Sequence, residues 1–152
     1  MFTKNFLRSL VGAAVLAMTI SPAYGHVTIQ PKESTVSANE KYTMRVPTEK
    51  FVPTVRIEVE FPAALNVSSL EPKAGWKIEE KKEGSGKIVG AILTGSIGTG
   101  ESAQFNFMAR NPSEEGKLSF KVIQIYEDGS KSEWTGEEGS RSPAPVTLIK
   151  WK

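Results

Sequence analysis

The chain has one histidine, His26, and no cysteine. Without cysteine there is no disulfide scaffold, zinc finger, iron–sulfur cluster or thiol nucleophile. A single imidazole excludes any site that needs two from one chain. What His26 can do depends on what precedes it. Residues 1–8 carry Lys4 and Arg8 and no acid. Leu10 to Ile20 is almost wholly apolar, Ser21-Pro22 interrupts it, and Ala23-Tyr24-Gly25 sets small residues three and one before a cut. This is the pattern of a secretory leader, residues 1–25, removed after Gly25. The apolar run of 11 residues is well short of the roughly 20 needed to span a bilayer. Cleavage there makes His26 the first residue of the mature chain.

A free N-terminal histidine has a specific chemistry. Its α-amine and its ring Nδ1 can bind one metal ion together, closing a six-membered chelate. The amine titrates near about 7.7–8.0 and the imidazole near about 6.5, so both are readily deprotonated at neutral pH. Binding is then expected to weaken as pH falls. Two nitrogen donors suit Cu(II), which heads the divalent affinity series and favours tetragonal N,O geometry. The plain alternative is a terminal histidine that frays in solvent.

Charge narrows the partners. The formal +2 belongs to the leader: nineteen Lys and Arg less Lys4 and Arg8 leave 17, against 17 Asp and Glu. A neutral mature chain of 127 residues lacks the electrostatic footprint of a nucleic-acid or anionic-membrane binder. That length suffices for one hydrophobic core. Residues 26–152 read as a single domain, with no second apolar stretch of membrane length.

The elements that must carry His26 read as strands. Tyr42 to Val46, Val55 to Phe61, Ala103 to Phe107 and Leu118 to Val122 alternate apolar with polar residues, the signature of half-buried strands. Weaker candidates are Val27 to Ile29, Trp76 to Ile78, Ile88 to Leu93 and Val146 to Ile149. Prolines and glycines punctuate them. Glu127-Asp-Gly-Ser130 reads as a hairpin turn, and Glu79 to Lys87 as a solvated hairpin. The sole helical candidate is Pro62 to Leu70. The pattern predicts an all-β antiparallel sandwich of about seven to nine strands.

The order of motifs resembles the YcnI-like family of exported copper-binding proteins. The matches are His26-Val-Thr-Ile-Gln-Pro-Lys32, Glu40-Lys-Tyr-Thr-Met-Arg-Val-Pro-Thr-Glu-Lys50, Pro72-Lys-Ala-Gly-Trp76 and Phe105 to Arg110. Ile123-Gln-Ile-Tyr-Glu-Asp-Gly129, Glu133-Trp-Thr-Gly136 and Ser142-Pro-Ala-Pro145 follow. The resemblance implies a β-sandwich of cupredoxin-like or fibronectin-III-like character. It also implies one Cu(II) per chain, held in a monohistidine brace: the amine and ring of His26, a glutamate that matches Glu49, and a tryptophan over the metal that matches Trp134. It implies a copper transporter or another copper carrier as partner. Glu40 and Glu33 stand as rival carboxylates, and Glu49 also reads as a solvated side chain. Trp134 also reads as an edge aromatic, Trp76 as core and Trp151 as peripheral. Many family members continue into a C-terminal membrane helix, which this sequence does not show.

A site of this kind is expected to bind rather than catalyse. It lacks the second imidazole of copper monooxygenases and the Cys and second His of blue-copper centres. Met44 and Met108 lie in strand patterns, where packing is the usual role. The paired acids Glu79-Glu80, Glu114-Glu115 and Glu137-Glu138 are adjacent, so on strands they face opposite ways. The alternative from another class is an exported β-sandwich module that binds protein or polysaccharide through loops and edges. Oligomeric state stays open.

Overall fold

The computed structural model describes residues 25–152, so the expected leader, apart from Gly25, lies outside the described residues. Twelve strands and no helix occur among them. In chain order they are β1 (Thr28–Gln30), β2 (Glu33–Thr35), β3 (Asn39–Pro47), β4 (Thr54–Glu60), β5 (Asn66–Leu70) and β6 (Lys77–Lys82). Then come β7 (Ile88–Ile97), β8 (Ser102–Arg110), β9 (Gly116–Ser119), β10 (Lys121–Tyr126), β11 (Lys131–Trp134) and β12 (Val146–Lys150). Nine form an antiparallel sheet in the order β1-β3-β8-β5-β7-β4-β10-β11, with β6 also paired to β7. A second sheet has the order β2-β12-β9, its β2–β12 pair being parallel.

The all-β expectation holds, and the alternation explains why. Tyr42, Met44 and Val46 on β3 all point inward, and so do Phe105 and Phe107 on β8. These two strands share an unbroken ladder from Asn39 opposite Arg110 to Pro47 opposite Ser102. Inside, Phe107 stacks on Tyr42 at 5.3 Å and meets Phe61 at 5.0 Å between ring centroids. Phe120 packs against the same group, 5.9 Å from Phe107. Aromatic burial of this kind dominates core energetics.

Three details differ from the sequence reading. Pro62 to Leu70 is not helical. A turn closed by the Leu65 N–H on the Pro62 carbonyl (3.0 Å) leads into β5, where Val67 is buried beside β8. Its β-branched and Asn/Ser residues favour that outcome. The strand count is twelve because proline and sheet-switching divide the pieces. Pro31 has no N–H to donate and separates β1 from β2. Leu118 to Tyr126 breaks at Phe120, whose N–H goes to the Pro145 carbonyl (3.0 Å) as the chain passes from the small sheet to the large one. Lastly, Met44 is core but Met108 is largely exposed, because it lies on the outward phase of β8. The Asp128-Gly129 turn forms as expected: Gly129 has φ +83° and joins β10 to β11.

β1 and β11 stand at opposite ends of the strand order, yet residues beside them meet: the rings of His26 and Trp134 lie 5.6 Å apart. The large sheet therefore curls until its two edges face each other. The candidate site sits at that seam.

Candidate metal centre

His26 is fixed by the strand that follows it. On β1, Thr28 lies opposite Arg45 and Gln30 opposite Thr43. Continuing that antiparallel register brings His26 alongside Pro47 and Gly25 alongside Thr48, at the end of β3. Glu49 is the next residue, so its carboxylate falls where the chain enters β1. A Cβ placed on Gly25 would lie 2.6 Å from Glu49 Cδ and 2.7 Å from its Oε1. The carboxylate therefore rests against the Cα two bonds from the His26 nitrogen. Only glycine leaves it room there.

Trp134 closes the other side. It ends β11, is 9% exposed, and its ring is tilted 55° to that of His26. Its indole N–H donates to Gln124 Oε1 at 3.0 Å. Gln124 Nε2 donates to the Pro47 carbonyl at 2.8 Å and to Thr54 Oγ1 at 2.7 Å. Thr54 Oγ1 in turn lies 2.6 Å from Thr48 Oγ1. The amide orientation follows from its partners, since the indole only donates and the carbonyl only accepts. Gln124, Thr48 and Thr54 are fully buried, and among the described residues no buried side-chain polar atom lacks a partner. Thr48 is held by its backbone too: its N–H goes to the Glu101 carbonyl and its carbonyl accepts from Gly100, each at 2.9 Å. This clamp ties the indole to the segment that carries Glu49. It was not among the sequence candidates. A glutamine on the inward phase of β10, between Val122 and Tyr126, was the available signal.

Next along the loop, Lys50 Nζ lies 4.4 Å from the centroid of the Tyr126 ring and 3.3 Å from Ser130 Oγ. Burial pushes the Tyr126 phenol above its usual range, the hydrogen bond with Ser132 pulls it back, and the nearby Glu49 charge raises it further.

The other candidates lie elsewhere. Glu40 is seven residues back along β3 from Pro47, about 23 Å by strand rise, and accepts a 2.7 Å bond from Ser34 Oγ. Glu33 pairs with Lys150 at 2.7 Å. Trp76 packs edge-on to Phe105 at 4.8 Å, and Trp151 is 62% exposed. The structure thus sets Trp134 against His26 and Glu49 against the adjoining Gly25, and leaves Glu40 apart from them.

Among the described residues no group of three His, Cys, Asp or Glu side chains is arranged to hold a metal. The donors nearest the start of β1 are the His26 imidazole and the Glu49 carboxylate beside Gly25. While Gly25 is attached, the His26 nitrogen is an amide. If the chain were cut before His26, that nitrogen would become an amine, and with the ring and a carboxylate it would form an N,N,O set of the kind that suits Cu(II). His26 also lines a groove of about 320 Å³ between β1 and Pro143 to Leu148, which neither Glu49 nor Trp134 lines.

Residues 26–149 match the family model described as Domain of unknown function (DUF1775). The chain belongs to the DUF1775 family. A curated relative is the Copper-binding protein CutI of Bacillus subtilis (strain 168), 35% identical over 143 residues, covering 93% of this chain and 69% of the relative. This bears out the YcnI-like resemblance read from the motifs. A crystal structure of an uncharacterized Nocardia farcinica protein with an immunoglobulin-like fold superposes with a TM-score of 0.68 at 28% identity, covering 82% of this chain and 97% of that one. A cohesin module from Clostridium perfringens ATCC13124 shares the fold at a TM-score of 0.55 and 15% identity, over 84% of this chain and 98% of that one. Among the described residues no helix is long and apolar enough to cross a membrane.

Proposed function

We propose that this protein is exported, loses residues 1–25, and binds one Cu(II) through the His26 amine and ring and the Glu49 carboxylate, with Trp134 covering the metal. It then hands the ion to a transporter or another carrier. The observation that carries this reading is that the Glu49 carboxylate rests against Gly25, the residue bonded to the His26 nitrogen, while the Trp134 ring lies 5.6 Å from the His26 ring. The CutI relationship supports copper as the metal.

Each residue has a distinct task. The His26 amine and imidazole supply the chelate, whose two bonds from one residue limit the entropy lost on binding. Glu49 supplies an anionic oxygen that offsets part of the ion's charge. Trp134 excludes water from one side and offers a π face to the cation. Its N–H is already committed to Gln124, so the ring, not a hydrogen bond, is what it presents. Binding and release suit one imidazole, one amine and one carboxylate on a single site. The test is Cu(II) titration of protein that begins at His26, against His26→Ala. Stoichiometric uptake lost in the variant supports the reading, and uptake unchanged by the variant rejects it.

A further inference from the structure

A different face of the large sheet carries an ordered charge pattern. On the outward side of β11, β4 and β6, a cation and an acid stand two residues apart. They form the ion pairs Lys131–Glu133 (3.1 Å), Arg56–Glu58 (2.8 Å) and Lys77–Glu79 (3.2 Å). The strand register aligns all three. Arg56 lies opposite Ile125 of β10, which lies opposite Lys131. On its other side Arg56 lies opposite Thr94 of β7, which lies opposite Lys77. Glu58 connects in the same way through Ile123 to Glu133 and through Ile92 to Glu79. One row across five strands is therefore Lys-Ile-Arg-Thr-Lys and the next is Glu-Ile-Glu-Ile-Glu. The rows are about 7 Å apart and about 19 Å long. Ile92, Ile123 and Ile125 are half-buried among these charged stems.

This arrangement is self-complementary. A two-fold axis lying between two such faces, parallel to the rows and midway between them, sets every cation of one copy over the acid of the same strand in the other. Arg56 meets the second copy's Glu58, and the outer pairs follow on β11 and β6. An axis along the strands would instead oppose like charges. The isoleucines of β10 and β7 then pack between the charged columns. Isologous pairing of this sort is the commonest symmetry of soluble oligomers. Sheet twist sets two packed faces at about 30°, so the central Arg56–Glu58 pair dominates.

We propose that this protein self-associates face to face through β11-β10-β4-β7-β6, with the second copy of the chain as the occupant of that face. Its charges are exposed or half-buried and already paired within each copy, so the dimer is weak and salt-sensitive. It is separate from the proposed metal centre, since Trp134 and Gln124 point to the opposite side of the same strands, into the core.

The test is sedimentation of the purified protein at concentrations up to about 1 mM, with Arg56→Glu and Glu58→Arg. In each variant alone, like charges oppose across the axis, and association is expected to weaken at least about tenfold. Mixed together, the two variants restore opposite charges at both central positions, and a heterodimer is expected to form. That recovery also shows that both variants are folded. A wild-type protein that stays monomeric throughout overturns the proposal. So does a dimer indifferent to both substitutions, or a mixture that stays dissociated.

Discussion

The indole N–H of Trp134 is donated to the side-chain carbonyl of Gln124 at 3.0 Å, and Gln124 uses its amide to grip Pro47 and Thr54. One buried glutamine thus joins the tryptophan on β11 to the segment leading into Glu49. Replacing it takes this partner from the Trp134 N–H and the Pro47 carbonyl, while Thr54 Oγ1 keeps Thr48.

Gln124→Leu is expected to destabilise the protein by about 2–4 kcal/mol, because each orphaned buried group costs about 1–3 kcal/mol. Gln124→Glu is expected to be at least as damaging, since a buried carboxylate has no N–H for the Pro47 carbonyl. Denaturant unfolding of the metal-free protein measures both. Wild-type stability in Gln124→Leu would show that the clamp does not hold the site.

The two rival glutamates are expected to separate cleanly. Glu49→Gln should weaken Cu(II) binding by about tenfold or more, a loss seen even for groups that only support a ligand. Glu40→Gln should leave binding unchanged and alter only the bond from Ser34. Competition titration against a chelator distinguishes them, and equal effects from the two variants would contradict the register argument.

Cu(II) is expected to quench indole emission up to one equivalent, through the ring beside His26. The chain has three tryptophans, and Trp76 and Trp151 lie in other contacts. Trp134→Phe should therefore remove the quenching while the folded spectrum in the far ultraviolet persists. Quenching that survives this substitution would place the metal elsewhere.

Tyr42 gives a pH signature. Burial first, and then the charge of Glu40, push its phenol well above the usual range, while its O–H donates to Asn111. The unfolded chain ionises its tyrosines near about 10. Above that pH the unfolded state loses a proton that the folded state keeps, so stability is intact below about 10 and falls as pH rises beyond it. In Tyr126→Phe, Tyr42 is the remaining tyrosine after the leader. Its tyrosinate absorbance should appear together with unfolding. Titration near the usual value in the folded protein would refute this.

Two glycines test the packing. A Cβ on Gly90 would meet the backbone carbonyl oxygen of Val59 at 2.5 Å, whereas one on Gly95 would meet the Trp76 ring, with Cε2 at 2.6 Å. A side chain can yield and a ladder cannot. Gly95→Ala is expected to cost about 1–3 kcal/mol and Gly90→Ala more. Thermal unfolding of the two variants gives the order.

Much of this was legible in the residues. Period-two alternation marks β3, β4 and β8, because one buried face needs no knowledge of the partner strand. His26 stood out by its place after the expected cut, whereas Glu49 and Trp134 entered only through the family resemblance. What was not legible depends on pairing. Whether Glu49 or Glu40 approaches His26 is a matter of the β1–β3 register, which local sequence does not encode. The Gln124 clamp joins positions 70 and 77 residues apart. The break at Phe120 arises because the chain changes sheets, while its alternation continues uninterrupted. The short helical reading of Pro62 to Leu70 failed because its β-branched and Asn/Ser residues are poor helix formers and β5 pairs with β8.

The central claim is that the His26 amine, freed by cleavage, is a ligand. The most direct measurement is electron paramagnetic resonance of one equivalent of Cu(II) added to protein that begins at His26, beside the same protein with one extra residue before it. Here the first is expected to give a single signal with nitrogen couplings from two donors, and the second to lose that signal and bind far more weakly. An identical spectrum and affinity in the extended protein would contradict the claim.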